Sequence, residues 1–465
     1  MSEQAKFLEG NLFRHITVMS LTASVGLMMI FVVDFVDMIF ISMLGKAELA
    51  AAVGYAAAIL FFTSSFGIGM SIAGGALVAR ALGEGDEAKA RRLTTNSLIF
   101  GIFFGAIFAA VIWSQLELLT SLIGATGATQ ELSILYLSII IPSLPLLMIG
   151  MMGGAILRAY GDARRAMMAT ILGGLVNAVL DPILIFGLDL ELTGAALASV
   201  AARAAMAGTA LLPVLRYHGG LDRPTLPGLA RDFIPVFTIA VPAILTQLAT
   251  PVGQAYVTRA MAEFGELAVA GMAVVSRLTP LSFAVLFALS GAVGPIIGQN
   301  FGAGRHDRVR RSFTDGLIFT GLYVCLAASV LFLLRQPILA LFDAEGLSAE
   351  LILLFCGPLA LAFFFNGVIF LGNAAFNNLG HPYYSTVINW GRHTLGTIPF
   401  VLLGSLWFGA PGILIGQAIG GSVFAALAFV LAYRVMAKEA QVQPTHAGEQ
   451  FRRQSRVLQL FNFRR

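Results

Sequence analysis

The sequence predicts an all-α membrane protein: twelve transmembrane helices in two six-helix bundles related by a parallel internal repeat. Three observations carry that prediction. Of the 465 residues 58% are apolar and 12% charged, against ~25% charged in an ordinary soluble domain. Apolar runs long enough to cross a bilayer, which takes ~20 residues per helix, follow one another with only short interruptions. The chain also aligns on itself at an offset of 219 residues.

The elements follow in order. The first eleven residues are polar, and the run from Ile16 to Met43 is too long for a signal-peptide core and precedes no small-residue cleavage site. It reads as a retained first span. Runs bounded by charge, Gly or Pro place helices at 14–43, 48–81, 93–118, 130–160, 164–187, 194–217, 233–262, 266–301, 312–335, 349–380, 383–408 and 412–437. Several exceed a perpendicular crossing, which predicts tilt or extension past the headgroups. Pro242 and Pro251 stand where the seventh helix would bend. The clusters GMMGGA (Gly150 to Ala155) and GQAIGG (Gly416 to Gly421) read as close-packing surfaces. Cys325 and Cys356 lie inside apolar runs, so neither a disulfide framework nor a thiolate metal site is expected.

The net charge of +4 matters less than its placement. With a cytoplasmic amino terminus, loops on that side and the tail hold 23 of the 29 basic residues, from Lys6, Arg14 and Arg80 to Arg465. The opposite loops keep Lys46, Arg259 and Arg335 among ten acids. The positive-inside rule then puts both termini in the cytoplasm and requires an even helix count. The expected organisation is an amino-terminal lobe at 1–217, a hydrophilic linker at 218–232 (HGGLDRPTLPGLARD), a carboxyl-terminal lobe at 233–437 and a basic tail at 438–465. The tail's FRRQSRVLQLFNFRR interleaves charge with apolar residues and suits the inner leaflet surface as well as it suits disorder.

At the offset of 219, GEGDEAKARR (Gly83 to Arg92) falls on GAGRHDRVRR (Gly302 to Arg311). Gly161 falls on Gly380, Ser71 on Ser290, Gly75 on Gly294, and Leu98-Ile99-Phe100 on Leu317-Ile318-Phe319. Several matches at one offset define a repeat. Six helices separate the copies, so both halves share one orientation, the arrangement of secondary transporters. A channel is the alternative, but no pore-loop signature is visible.

Ionisable residues at bilayer depth are functional hypotheses by default. The deep acids are Asp34, Asp37 and Asp181, all in the first half, with Asp315 nearer a helix end. Under the repeat Asp181 falls on Phe400 and Asn177 on Gly396, which predicts a single ion-coupling site in the first bundle. Asp34 and Asp37 share a helix face by their spacing, as do Asn177 and Asp181. Carboxylates gathered in a poorly hydrated space exchange protons near neutral pH or bind Na+ through oxygen; each acid could also simply pair with an arginine. Arg203, Arg277 and Arg392, the last beside His393, are deep as well. They either cap carbonyls and pair with the acids or line a substrate cavity and attract an anionic group. Sixteen Met and 36 Phe suit an adaptable apolar pocket, although lipid-facing and packing roles account for most of them. No Walker A, HExxH, GxSxG or full GxGxxG pattern occurs, so neither an ATPase nor an enzyme is expected.

The stretch FVVDFVDMIFISMLG, the loops ARALGEGDEAKARR and GQNFGAGRHDRVRR, the segment LRAYGDAR and NAVLDPILI together resemble the multidrug and toxic compound extrusion (MATE) family over essentially the whole chain. The resemblance implies two six-helix lobes around a central cavity and export of amphipathic, often cationic compounds in exchange for H+ or Na+, without a cofactor. It implies a monomer embedded in lipid, with a small-molecule substrate and no nucleic acid. By the same resemblance Asp37, Asn177 and Asp181 form the coupling site, with Asp34 beside them and Ser199 as its hydroxyl. Any Na+ would sit on Asp37, Asp181 and Asn177. The carboxylates that the NorM-like branch uses in helices seven and ten match Thr250 and Asn366 here, which favours a DinF-like arrangement. The proline of that branch's first helix is missing, with Thr22 and its neighbours in its place, so bending about it is not expected. A rival reading is a lipid-linked precursor flippase or an exporter of a narrow anionic substrate, built around the three arginines. A membrane scaffold, indifferent to loss of the acids, is the reading outside transport.

Overall fold

The computed structural model describes residues 5–441, so the basic stretch proposed for the inner leaflet lies outside the described residues. The described chain is helical throughout: α1 (Leu12–Met43), α2 (Ala47–Gly83), α3 (Glu87–Ser114), α4 (Leu116–Leu122), α5 (Gly127–Ile140), α6 (Leu144–Ala159), α7 (Ala163–Pro182), α8 (Glu191–Tyr217), α9 (Leu226–Ala262), α10 (Glu266–Gly302), α11 (His306–Leu341), α12 (Gly346–Leu354), α13 (Ala360–Asn378), α14 (Tyr383–His393) and α15 (Ile398–Ala440). Eleven helical stretches are long and apolar enough to cross a membrane.

The last stretch, Tyr383–Ala440, is 58 residues long, enough for two crossings. Gly409 reverses the chain with φ +64°, a conformation only glycine adopts freely. The two arms then run against each other through glycines: a Cβ on Gly412 would lie 1.8 Å from the Gly404 oxygen, and one on Gly420 only 1.4 Å from that of Gly396. The GQAIGG cluster is thus a backbone contact surface, and the fold has the twelve spans expected. Prolines break other spans where the alphabet of the helix demands it. Pro142 lies within the 3-10 turn between α5 and α6 and Pro145 in the first turn of α6, and Pro358 lies in the π-helical stretch between α12 and α13.

By contacts the chain forms two compact units. Unit 1 comprises Val25–Ile244 and the described residues before Phe7; unit 2 comprises Phe7–Ser24 and the described residues from Leu245. Unit 1 closes around Leu49, Ala52, Ile59, Leu137, Ile140, Met148 and Ile185. Methionines fill its glycine gaps, as where a Cβ on Gly101 would meet Met152 Sδ at 2.2 Å. Unit 2 closes around Val257, Met261, Leu351, Val401 and Ile413.

Polar clasps explain why the leading part of each repeat's first helix sorts as it does. In unit 2 the backbone N–H of Phe7 donates to Gln299 Oε1 at 2.9 Å, while Asn300 and Arg308 donate to the Phe7 carbonyl at 3.1 and 3.0 Å. In unit 1 Asp232 accepts from Arg92 Nε at 3.0 Å and Asn96 Nδ2 at 2.8 Å. An aromatic pair backs each clasp, Phe13 with Phe319 and Phe233 with Phe100, and Phe319 and Phe100 are repeat partners. The ARALGEGDEAKARR and GQNFGAGRHDRVRR motifs therefore include the residues that hold these ends.

Candidate functional site

Asp162 caps α7 by accepting the Arg165 N–H, and Asn177 and Asp181 follow on one face of that helix four residues apart. Burial works to raise the Asp162 carboxyl, but hydrogen bonds from His218 and Arg165 outweigh it and hold the group below the usual carboxylate range. Pro182 follows Asp181 directly. It has no N–H for the α-helical ladder, and the backbone widens into a π-helical stretch, Ile183–Gly187, a feature frequent at functional positions.

Two glycines bring neighbouring helices onto this face. A Cβ on Gly174 would lie 3.0 Å from Met29 and 3.1 Å from Val33, so α1 runs close along α7 and presents Asp37 to Asn177. A Cβ on Gly194 would lie 2.7 Å from the backbone of Leu184, so α8 sits on the π-helical stretch and delivers Ser199 and Arg203, one turn apart.

The core of the site is a carboxamide between two carboxyls. Asn177 Nδ2 donates to Asp37 Oδ1 at 3.1 Å and to Asp181 Oδ2 at 2.6 Å. Asp181 is fully buried, and its Oδ1 receives no donor among the described residues. The Asp37 carboxyl lies within hydrogen-bonding reach of Asp181. Two carboxylates cannot donate to each other, so this contact calls for one shared proton or one cation. Asn177 turns N–H toward both acids, which suits a proton; a Na+ site would need the amide reversed. Among the described residues no three His, Cys, Asp or Glu side chains converge on a metal position.

Asp34 is exposed one turn before Asp37 and acts on the pair through charge alone. Ser199 bonds the phenol of Tyr136, a buried residue of α5 within electrostatic reach of both acids. Tyr136 lies outside the residues expected: its one polar atom stands in the run LSILYLSII with Ser133 and Ser138, and no spacing flags it. Arg203 reaches the break between α5 and α6, donating to the Ile140 carbonyl at 3.1 Å and to Ser143 Oγ at 2.9 Å. Of the two roles open to it, the geometry engages it as a carbonyl cap.

The other deep cations belong to unit 2. Arg277 is exposed on α10. Arg392 Nη1 donates to Asn366 Oδ1 at 2.8 Å, and its Nη2 bonds His393 Nε2 at 3.0 Å. Further along the same two helices Asn389 donates to Asn373 Oδ1 at 3.1 Å and Ser385 to Asn377 Oδ1 at 3.2 Å, so a polar seam joins α13 and α14. No deep carboxylate of unit 1 has a counterpart in this seam.

Twelve crossings in two halves and a carboxyl pair with one member fully buried define a polytopic membrane transporter. A family model described as MatE matches residues 23–183 and 242–403. The chain belongs to that family, the MATE transporters, which are membrane proteins moving small molecules rather than enzymes. Among curated relatives, the FAD transporter of Shewanella oneidensis is 29% identical over 94% of this chain and 97% of its own. The multidrug export protein MepA of Staphylococcus haemolyticus is 24% identical over 92% and 94%. A mutant of the Vibrio cholerae MATE transporter VcmN shares the fold at TM-score 0.87 and 23% identity, covering 92% of this chain and 97% of that one. So does a MOP superfamily transporter from Pyrococcus furiosus, at TM-score 0.87 and 21% identity over 95% and 100%.

Proposed function

We propose that this transporter is a cation-coupled antiporter, a monomer of the bacterial plasma membrane with both termini cytoplasmic, that exports amphipathic organic compounds by alternating access. Its lobes are the sequence halves at 1–217 and 233–437, except that Phe7–Ser24 group with the second compact unit and residues 233–244 with the first. Asp37 and Asp181 are the alternately loaded pair, Asn177 holds them, and Asp34, Tyr136 and Ser199 tune them. The observation that carries this reading is the buried Asp181 Oδ1, which lacks a donor while facing a second carboxyl. Loading the pair from outside favours substrate release, and by linkage substrate binding favours release of the ion. Thr250 and Asn366 in place of carboxylates leave the second half without an equivalent pair, in keeping with the DinF-like arrangement.

Relatives support two substrate classes. The MepA likeness favours amphipathic drugs, and the likeness to an FAD transporter favours export of an anionic dinucleotide. Ethidium efflux from everted vesicles, with H+ and Na+ gradients imposed separately, tests the coupling. Efflux should follow the proton gradient and vanish in Asp37→Asn. Dependence on Na+ alone would assign the same pair to Na+, whereas efflux that persists in Asp37→Asn would overturn the assignment.

A further inference from the structure

The membrane-embedded charges of the two units differ in balance. Unit 1 holds the buried Asp181 and the half-buried Asp37 against Arg203, which caps a carbonyl. In unit 2 Arg392 is only partly exposed and has no carboxylate partner among the described residues; its bonded neighbours, Asn366 and His393, are neutral acceptors. A guanidinium carries five N–H groups. Two are used here, and the remaining three have no acceptor among the described residues.

The backbone around Arg392 is equally unusual. α14 ends at His393, Thr394 leaves the helical region at φ −109° and ψ −81°, and α15 begins at Ile398, so the eleventh crossing is broken beside the arginine. From His381, paired with Glu439 at the loop end, to Arg392 is about eleven helical residues, or ~16 Å, close to the middle of a ~30 Å hydrocarbon layer. Non-helical backbone at that depth is tolerated where it is buried in protein or lines a cavity, and a helix that starts there directs its positive end at an anion. Thr394 and Thr397 spend their hydroxyls on the Trp390 and Arg392 carbonyls, which satisfies the C-terminal end of α14 and leaves the guanidinium unengaged by them.

The repeat shows that this cluster is not a general feature of the bundle. The first-half counterparts of Arg392, His393 and Asn366 are Gly173, Gly174 and Leu147, just as Asp181 and Asn177 correspond to Phe400 and Gly396. The fifth crossing of the first half thus carries Asn177 and Asp181, and its repeat counterpart, the eleventh, carries Arg392 at a different height. The remaining seam pairs, Asn389 with Asn373 and Ser385 with Asn377, satisfy each other, so Arg392 is the member left with spare donors.

We propose that Arg392, held by Asn366 and His393 at the break of the eleventh crossing, binds the anionic group, a phosphate or carboxylate, of an organic substrate. This rests on the antiport reading above and names the substrate class that the second half takes. Two N–H groups in a fixed fork match either anion, and Asn366 positions the fork by accepting from Nη1.

The test uses the intact transporter in everted vesicles with three probes: riboflavin 5′-phosphate, carboxyfluorescein and ethidium. Arg392→Gln should raise the apparent KM for the anionic probes by about tenfold or more, the effect of one lost charge-assisted bond pair, and leave ethidium within about twofold. Asn366→Asp keeps the shape and gives Arg392 an internal carboxylate, so it should compete with the anionic probes in the same way, while Arg392→Lys retains part of their transport. A phosphate preference over carboxyfluorescein, or the reverse, identifies which anion the fork prefers. Unchanged anion KM in both Arg392→Gln and Asn366→Asp would overturn the proposal, as would equal loss of all three probes in a normally inserted Asn366→Asp protein. Wild type that exports ethidium under a cation gradient but neither anion would overturn the anion site and leave the coupling reading intact; wild type that exports none would fail the coupling reading itself.

Discussion

Asp181→Asn tests the proposed shared proton. The change is nearly isosteric, and the amide oxygen can still accept the Asn177 Nδ2 bond that Asp181 Oδ2 accepts at 2.6 Å. The cost in folding is then limited to exchanging a charge-assisted hydrogen bond for a neutral one, about 1 kcal/mol. The new amide also supplies the N–H that Asp181 Oδ1 lacks toward Asp37, so the contact no longer calls for a proton. On the proposed coupling, transport should then lose its driving force entirely. One proton moving down one pH unit yields about 1.4 kcal/mol, which sustains at most about tenfold substrate accumulation per proton exchanged. Everted vesicles with wild-type protein should approach that ratio for ethidium under a one-unit gradient. The variant should equilibrate near a ratio of one, with normal insertion and a stability lowered by no more than about 1 kcal/mol. Because the two acids share one site, adding Asp37→Asn should cost nothing further. A variant that still accumulates substrate about tenfold under the proton gradient would refute the shared-proton argument.

Arg203→Met removes the donor from the Ile140 carbonyl and Ser143 at the α5–α6 break; a loss of about 3 kcal/mol is expected, read as a lower unfolding temperature in detergent. Gly420→Ala places a methyl 1.4 Å from the Gly396 oxygen and should prevent the last two crossings from closing, whereas Gly421→Ala, with nothing within 4 Å, should fold normally; detergent gel filtration distinguishes them. The Asp162 carboxyl titrates below its unfolded value of 3.8, so its contribution is complete above that value and is lost as pH falls below it. Thermal unfolding between pH 7 and 3 should therefore show a steeper acid limb in the wild type than in Asp162→Asn.

The membrane class, the twelve crossings and the repeat follow from the sequence alone, because the bilayer demands long apolar helices and leaves few alternatives for the backbone. Asp37 and Asp181 were legible for the same reason, since a charge in an apolar run is costly enough to stand out, and Asn177 through its four-residue spacing from Asp181. Tyr136 was not, since a phenol is no anomaly among apolar residues until folding brings it to Ser199. The roles of the arginines were equally hidden. Arg203, Arg277 and Arg392 look alike in the sequence, and only the tertiary structure gives Arg203 a helix break to cap and leaves Arg392 beside neutral partners. The clasps required the fold too: Phe7 and Asn300 are 293 residues apart, and no periodicity relates them. Local composition determines which segments enter the membrane; which polar atoms meet there depends on glycines that set helix spacing at Gly174, Gly194 and Gly420, and that is a property of packing.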